Sequence, residues 1–222
     1  MRRSIPLLSL LLTSCIPPGH PPAGYGGSAR RATPIPSAAI PREDPAAYRQ
    51  CLADLSALGA DVQPLPDRVY PNGCSATAAV KMVAIGIPVT NLGAVTCGMA
   101  RPFVAWVQQS VQSAASDRLG TRVVRIESFG SFACRPINNV EGNRLSEHGR
   151  ANAIDIAAFV LADGRRITVA DGWNGTDEAS HAFLRQLHAA ACRRFNVVLG
   201  PDANAYHHDH FHFDMGNGRY CR

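Results

Sequence analysis

The segment SEHGRANAID, residues 146–155, places a histidine and an aspartate seven positions apart among small side chains. His148 offers a ring nitrogen and Asp155 offers a carboxylate oxygen, and both groups bind divalent transition metals. The glycine and alanines between them let a backbone pass close to a bound ion or substrate. The segment therefore predicts part of a metal site whose remaining ligand comes from elsewhere in the chain.

A second group of histidines lies near the C-terminus, where residues 207–214 read HHDHFHFD. If this segment runs as a strand, His210 and His212 share one face, and His207 and Asp209 share the other face with the two phenylalanines. The segment offers the third ligand, and two histidines with one carboxylate and one open position form the usual ligand set of a catalytic zinc site. The alternative is a histidine-rich terminus that binds metal ions adventitiously.

Over residues 50–222 the chain resembles the bacterial extensin-like C-terminal domain. That domain is related in turn to zinc peptidases that include D-Ala-D-Ala carboxypeptidases and penicillin-insensitive murein endopeptidases. The resemblance is carried by residues 130–135, 145–148, 152–155, 198–202 and 210–214. It implies a Zn²⁺ ion bound by His148, Asp155 and His212, and hydrolysis of peptide bonds in the stem peptides or cross-links of peptidoglycan.

Two residues compete for the role of general base. Asp209 stands three positions before His212, where the carboxypeptidases carry a catalytic glutamate, and His210 stands two positions before it, as in the murein endopeptidases. Strand alternation favours His210, and an imidazole titrates near neutral pH, which suits both accepting and returning a proton. Asp209 and His207 are then expected to orient the ligands from outside the metal's immediate shell.

Two further residues are candidates for binding substrate. The resemblance implies that Arg135 holds the substrate, and a guanidinium suits a peptide carboxylate or carbonyl. The alternative for Arg135 is a surface salt bridge. Trp173 follows an Asp-Gly pair and would either stack on a glycan or pack into the core.

A non-catalytic function is the main rival to a peptidase. A cell-wall-binding or envelope-assembly lipoprotein would keep the metal-binding fold as a scaffold, whereas a metal-storage protein would hold several weak sites. An intact base beside the metal distinguishes the enzyme from the scaffold, and both His210 and Asp209 are present.

The N-terminal region predicts export and a lipid anchor. Residues 1–15 combine a charged start with an apolar run that is too short to span a bilayer. They end in Leu-Thr-Ser-Cys, which resembles a bacterial lipobox with Cys15 as the lipidated residue. The alternative is an ordinary cleaved signal peptide. Residues 16–45 are a proline- and glycine-rich linker, either a tether or a spacer without a task. We therefore expect a periplasmic lipoprotein attached to the inner or outer membrane.

The charge of the chain argues against nucleic acid as a partner. The formal net charge is +5, and it falls to +3 without Arg2 and Arg3 of the targeting segment. Such a small and scattered charge makes no basic patch. The expected partners are peptidoglycan and, through the lipid anchor, a membrane.

The cysteines predict a disulfide-bonded domain. Six remain after Cys15, an even number in an exported chain, and none forms a C-x-x-C pair that would indicate a cysteine metal site. They are Cys51, Cys74, Cys97, Cys134, Cys192 and Cys221. A Cys192–Cys221 bond is the pairing we favour, because it would fix the C-terminal strand that carries the histidines.

Hydrophobic periodicity predicts helices over residues 46–58, 99–119 and 178–195. Strands are expected over residues 121–128, 153–161, 166–169, 197–199 and 210–213, with an Asp-Gly turn joining the second and third. Because helices and strands interleave without a regular βαβ repeat, residues 46–222 are predicted to form one α+β domain. It has a small central antiparallel sheet flanked by helices and stapled by disulfides. The resemblance implies the hedgehog/D-Ala-D-Ala-peptidase-like version of this architecture.

Overall fold

The computed structural model describes residues 44–222 of the chain. The predicted signal peptide over residues 1–15, the lipobox Cys15 and nearly all of the predicted linker over residues 16–45 lie outside the described residues, so they remain predictions. In the described part, no helix is long and apolar enough to cross a membrane.

The described chain alternates between short strands and helices, which are numbered in chain order. The helices are α1 (Pro45–Ala57), α2 (Cys97–Trp106), α3 (Gln112–Leu119), α4 (Val169–Gly172) and α5 (Glu178–Cys192). The strands are β1 (Asp61–Pro64), β2 (Arg68–Val69), β3 (Ser75–Ala76), β4 (Ala79–Ala84), β5 (Val95–Thr96), β6 (Val123–Gly130), β7 (Ala153–Leu161), β8 (Arg166–Thr168), β9 (Val197–Leu199), β10 (Phe211–Asp214) and β11 (Tyr220–Cys221). A π-helical turn, Val107–Val111, joins α2 to α3, so the helix predicted over residues 99–119 is interrupted in its middle.

Strand β7 is the centre of the largest sheet. The strand order is β11-β9-β10-β7-β6, and β8 also pairs with β7. All of these pairs are antiparallel except the one between β11 and β9. The predicted α+β class with a central antiparallel sheet is confirmed, including the hairpin of β7 and β8 around the Asp-Gly turn. The sheet has six strands and is therefore larger than expected.

Two small sheets, β1-β4-β5 and β2-β3, accompany the large one. The sequence did not predict them, because most of their strands are only two to four residues long and lie among prolines and turns. Such short strands carry too few residues for alternation to be visible.

Helices α2 and α5 pack against one face of the large sheet, and aromatic side chains fill the space between. Phe213 on β10 packs against Trp106 of α2 with 5.1 Å between ring centroids, and it stacks on Phe195 at 4.8 Å. Each fully buried aromatic of this kind contributes roughly 1.5 to 3 kcal/mol by leaving water. The phenylalanines of β10 thus fix which face of the strand points into the core, and the histidine between them points to the other face.

Three disulfides staple the domain: Cys51–Cys97, Cys74–Cys134 and Cys192–Cys221. The last is the predicted pairing, and it ties the end of α5 to β11 at the C-terminal edge of the large sheet. The Cys74–Cys134 bond fixes the loop that leads from β6 to Arg135. The predicted number of bonds and the disulfide-stapled character of the fold are confirmed.

Candidate metal centre

The core of the candidate site is a pair of residues that face each other across two strands. Asp155 on β7 and His212 on β10 are register partners, so their side chains leave the sheet on the same face. Asp155 Oδ1 lies 2.9 Å from His212 Nδ1, and both side chains are buried. The face opposite carries their apolar neighbours, which pack into the core.

The third donor, His148, comes from a 3₁₀ turn, Glu147–Arg150, just before β7. Ser146 caps this turn, because its hydroxyl accepts a hydrogen bond from the His148 backbone N–H at 3.3 Å. Ala151 then adopts a left-handed conformation, with φ of 54°, which ends the turn and lets the chain enter β7. His148 is thereby held over the first residues of the strand.

The glycine in this segment has a packing role that the sequence did not predict. A Cβ at Gly149 would meet Leu145 Cδ1 at 2.7 Å and Cys74 Sγ at 3.1 Å. Glycine is therefore needed at this position for the close packing of the turn against Leu145 and the Cys74–Cys134 disulfide. The predicted close approach of the backbone to an ion or a substrate stays a prediction.

The donor atoms of His148, Asp155 and His212 form a small triangle. His148 Nε2 lies 3.1 Å from His212 Nδ1 and 3.1 Å from Asp155 Oδ2, and the three residues are one of two groups with metal-binding potential among residues 44–222. Ligand bonds of about 2.0 to 2.2 Å in a tetrahedral site separate ligand atoms by about 3.3 to 3.6 Å. The triangle is only slightly tighter, so the three donors fit a small cation between them.

In His148 and His212, the ring nitrogen that points away from the donor triangle forms a hydrogen bond with another residue. His148 Nδ1 lies 2.7 Å from the Ser131 carbonyl oxygen, and His212 Nε2 lies 2.8 Å from Asp214 Oδ2. Both partners only accept hydrogen bonds, so each outer nitrogen carries the hydrogen and each neutral ring points a lone pair inward. Three acceptors then converge with no hydrogen between them, and only a cation or an added proton can hold them together.

The electrostatics of the site follow from this convergence. Burial by itself disfavours a charge on His212, but its hydrogen bonds with Asp155 and Asp214 outweigh that cost and raise its pKa to about 9. Burial also opposes the charge on Asp155, yet its hydrogen bonds with His148 and His212 hold the pKa of this carboxyl well below its usual range. The centre therefore attracts positive charge, either as a proton on His212 or as a metal ion.

His210 and Asp209 lie beside this centre and contact each other. His210 Nδ1 is 2.8 Å from Asp209 Oδ1, and His210 Nε2 is 3.7 Å from Asp155 Oδ1. In the neutral ring with its hydrogen on Nδ1, Asp209 accepts that hydrogen and Nε2 presents a lone pair at the edge of the donor triangle. The structure thus places His210 next to the donor triangle and Asp209 behind His210.

His207 is placed differently from the prediction, because the strand begins only at Phe211. Ala205–His207 is a 3₁₀ turn, so strand alternation does not apply to residues 207–210. His207 is buried with its ring 5.1 Å from that of His210 and 5.7 Å from that of His212. Burial, followed by the neighbouring His212 and His210, lowers its pKa to about 4, so His207 is neutral at neutral pH.

Two clefts open at the candidate site, one of about 1040 Å³ and one of about 360 Å³. Five residues line both clefts: Arg135, His148, Asp155, Tyr206 and His210. Arg135 Nη2 lies 3.9 Å from Asp155 Oδ2, and the side chain is about one-third exposed. A molecule bound in either cleft would therefore reach the donor triangle, the base candidate and a guanidinium.

A family model for the extensin-like protein C-terminus matches residues 49–222, which include every residue of the site. The chain belongs to the extensin-like C-terminal family. Comparison with curated proteins and with solved structures found no match.

The second group with metal-binding potential in the described part of this extensin-like domain is His188, Cys192 and Cys221. Its two sulfurs are joined in a disulfide and cannot act as thiolate ligands.

Trp173 lies nearby and is buried, with its Nε1–H donating to Asp202 Oδ1 at 2.8 Å. Packing is therefore the role of Trp173, and the glycan-stacking alternative is excluded.

Sequence reasoning assigned no role to two residues of the extensin-like site. The Ser131 carbonyl and the Asp214 carboxylate orient the two histidine rings, as outer partners do in metal proteins. Asp214 could have been found, because it shares the face of His212 two positions along the strand. No side-chain pattern marks a backbone carbonyl such as that of Ser131.

Proposed function

We propose that this extensin-like domain is a zinc-dependent peptidase that hydrolyses peptide bonds in the stem peptides or cross-links of peptidoglycan. The observation that carries the proposal is the convergence of three inward lone pairs beside a histidine base and two open clefts. A purely structural cluster has no need of a further histidine at its edge or of access for a large ligand.

Zinc suits the donor set better than the other common cations. His148 and His212 supply nitrogen and Asp155 supplies oxygen, whereas magnesium and calcium prefer ligand shells made wholly of oxygen. Bound there, zinc would polarise the scissile carbonyl and lower the pKa of a water to about 7.

The neighbouring residues of the chain would perform the proton transfers. His210 would accept a proton at Nε2 from the attacking water and return it to the leaving amine, while Asp209 holds the Nδ1 hydrogen and so fixes the ring. Arg135 would bind the carbonyl or carboxylate of the substrate next to the scissile bond. His207, neutral and buried, would support the rings of His210 and His212.

The proposed substrate rests on the resemblance to zinc D-Ala-D-Ala peptidases and murein endopeptidases and on the predicted export of the chain. A lipid on Cys15 would attach the protein to the inner or outer membrane from the periplasmic side. The proline- and glycine-rich linker would then let the domain reach the cell wall. In the same proposal, the six-stranded sheet with its helices is a hedgehog/D-Ala-D-Ala-peptidase-like fold.

The test is to incubate the purified full chain with intact peptidoglycan, with zinc and with a chelator, and to analyse the released fragments. We expect zinc-dependent release that Asp155→Asn abolishes and Asp163→Asn, a carboxyl in the exposed hairpin turn, leaves unchanged. If the wild type binds peptidoglycan but releases nothing, the chain is a wall-binding scaffold.

A further inference from the structure

The two clefts lie on opposite sides of the donor triangle. The larger cleft is lined by Val197 and Leu199 of β9, and the smaller by Phe129 and Gly130 of β6. In the strand order, β9 and β6 flank the β10-β7 pair that carries His212 and Asp155. The candidate site therefore sits between the clefts rather than at the closed end of one.

The smaller cleft has the size and surface of a ligand site. Its volume of about 360 Å³ falls within the roughly 300–1,000 Å³ of sites that hold a whole small molecule. Phe129 at its edge is 59% exposed, and its ring meets that of His210 edge-on at 5.6 Å. This exposed aromatic beside the base candidate offers an apolar contact to a ligand bound on that side.

The larger cleft carries an available cation. The exposed side chain of Arg144 forms no hydrogen bond or ion pair with any other residue in the range 44–222, while Arg150 in the same cleft lies 3.9 Å from Glu147. A free guanidinium suits a substrate carboxylate. Besides the residues that line both clefts, the smaller cleft thus offers Phe129 to a ligand and the larger cleft offers Arg144.

We infer that the substrate extends through both clefts, so that the enzyme cuts within a peptide or across a cross-link instead of removing a terminal residue. This inference rests on the proposed peptidase function, which leaves the position of the bond open. An enzyme that trims a chain end needs space for one residue beyond the scissile bond, whereas this site opens on both sides.

Binding tests the inference without turnover. The full chain is kept inactive by a chelator and titrated with a cross-linked pair of stem peptides and with the single stem peptide. Because the pair can occupy both clefts at once, we expect it to bind at least about tenfold more tightly than the single peptide. Equal binding of the two ligands would overturn the inference.

Two variants assign the difference to the smaller cleft. Ala133→Phe would fill that cleft, and Phe129→Ala would remove its exposed aromatic without emptying a core. Both should bring the affinity of the cross-linked pair towards that of the single peptide, whereas Ala162→Phe, in an exposed turn at the far end of β7, should not. Phe129→Ala keeps the test valid if Ala133→Phe does not fold. Unchanged binding of the cross-linked pair by a folded cleft variant would count against the inference.

Hydrolysis with zinc separates this inference from the proposed function. Faster cutting of the cross-linked pair than of the terminal residue of a single peptide supports both. Removal of the terminal residue alone supports a peptidase but overturns the two-sided substrate. If neither ligand is cut while the pair still binds more tightly, the catalytic proposal fails and the two-sided groove stands.

Discussion

Asp155 and His212 are cross-strand partners whose side chains meet at 2.9 Å on the face of the sheet opposite the aromatic core. The adjacent pairs, Phe211 with Ile156 and Phe213 with Ile154, are fully buried. A slip of one residue in this register would turn His212 into the core and a phenylalanine into the cleft. The packing that stabilises the fold therefore also fixes the geometry of the site.

We predict that the folded chain binds one zinc ion and that His148→Ala loses it. His208→Ala is the matched control, because His208 lies in the other histidine segment but its side chain is 72% exposed. Elemental analysis should find zinc in the wild type and the control only. At a zinc concentration of about a hundred times Kd, the ion should stabilise both by about 2.7 kcal/mol and raise Tm by about 5 to 10 °C. Equal zinc in His148→Ala would remove the site as described.

Without metal, the stability of the protein should fall as the pH rises from about 6.5 to 9. The pKa of His212 is about 9 in the folded chain and about 6.5 when unfolded, so its stabilising charge is fully present below pH 6.5 and is lost as the pH passes 9. The difference between these two pKa values corresponds to about 3 kcal/mol in the free energy of unfolding.

Urea unfolding in a chelator measures this dependence, and His212→Gln should abolish it. With saturating zinc the trend should reverse, because the ion displaces the proton and binds more tightly as the pH rises. A wild-type profile in chelator that matches His212→Gln would contradict the assignment.

The general base is tested by comparing His210→Ala with Asp209→Asn. We expect His210→Ala to keep zinc and to lose hydrolysis by roughly two orders of magnitude or more, the usual span for a lost general base. Asp209→Asn should reduce the rate of hydrolysis clearly less, because Asp209 contacts Nδ1 of His210, the nitrogen that points away from the donor triangle. The measurement is kcat on a peptidoglycan peptide, with zinc content as the control. A larger loss of kcat in Asp209→Asn than in His210→Ala would assign the role of general base to Asp209.

Removing the Cys192–Cys221 bond by a double change to serine should destabilise the domain without emptying the metal site. The bond closes a loop with a sequence separation of 29, which chain-entropy arguments value at about 3.5 kcal/mol, or about 10 °C in Tm. Zinc should remain bound, because β10 is still held between β7 and β9. Thermal unfolding and metal analysis together check this, and loss of zinc at a temperature where the variant is folded would show that the bond positions His212.

Membrane attachment should depend on Cys15. A lipidated cysteine with two or more acyl chains anchors a protein far more firmly than a single chain can. We expect the wild type in the membrane fraction and Cys15→Ser in the soluble fraction after cell breakage. If Cys15→Ser remains as firmly attached as the wild type, the anchor lies elsewhere in the chain.

The sequence by itself determined the features that depend on local periodicity and residue type. Alternation along β10 separates His212 from the phenylalanines, because successive side chains of a strand point to opposite faces. The positions of α1, α2, α3 and α5, the β7-β8 hairpin and the number of disulfides also follow from spacing and count. Nitrogen and oxygen donors in two segments were enough to predict that His148, Asp155 and His212 lie together as a candidate metal-binding group.

Only the tertiary structure decided where the irregular segments bring their side chains. His207 was expected to face away from the metal but packs against His210 and His212, because the chain turns there instead of continuing the strand. The hydrogen that orients His148 goes to a backbone carbonyl, that of Ser131, whose position depends on packing between distant parts of the chain. The two clefts likewise arise from the order of strands in the sheet. Local patterns carry no information about such long-range contacts, since these are set by how the elements bury one another.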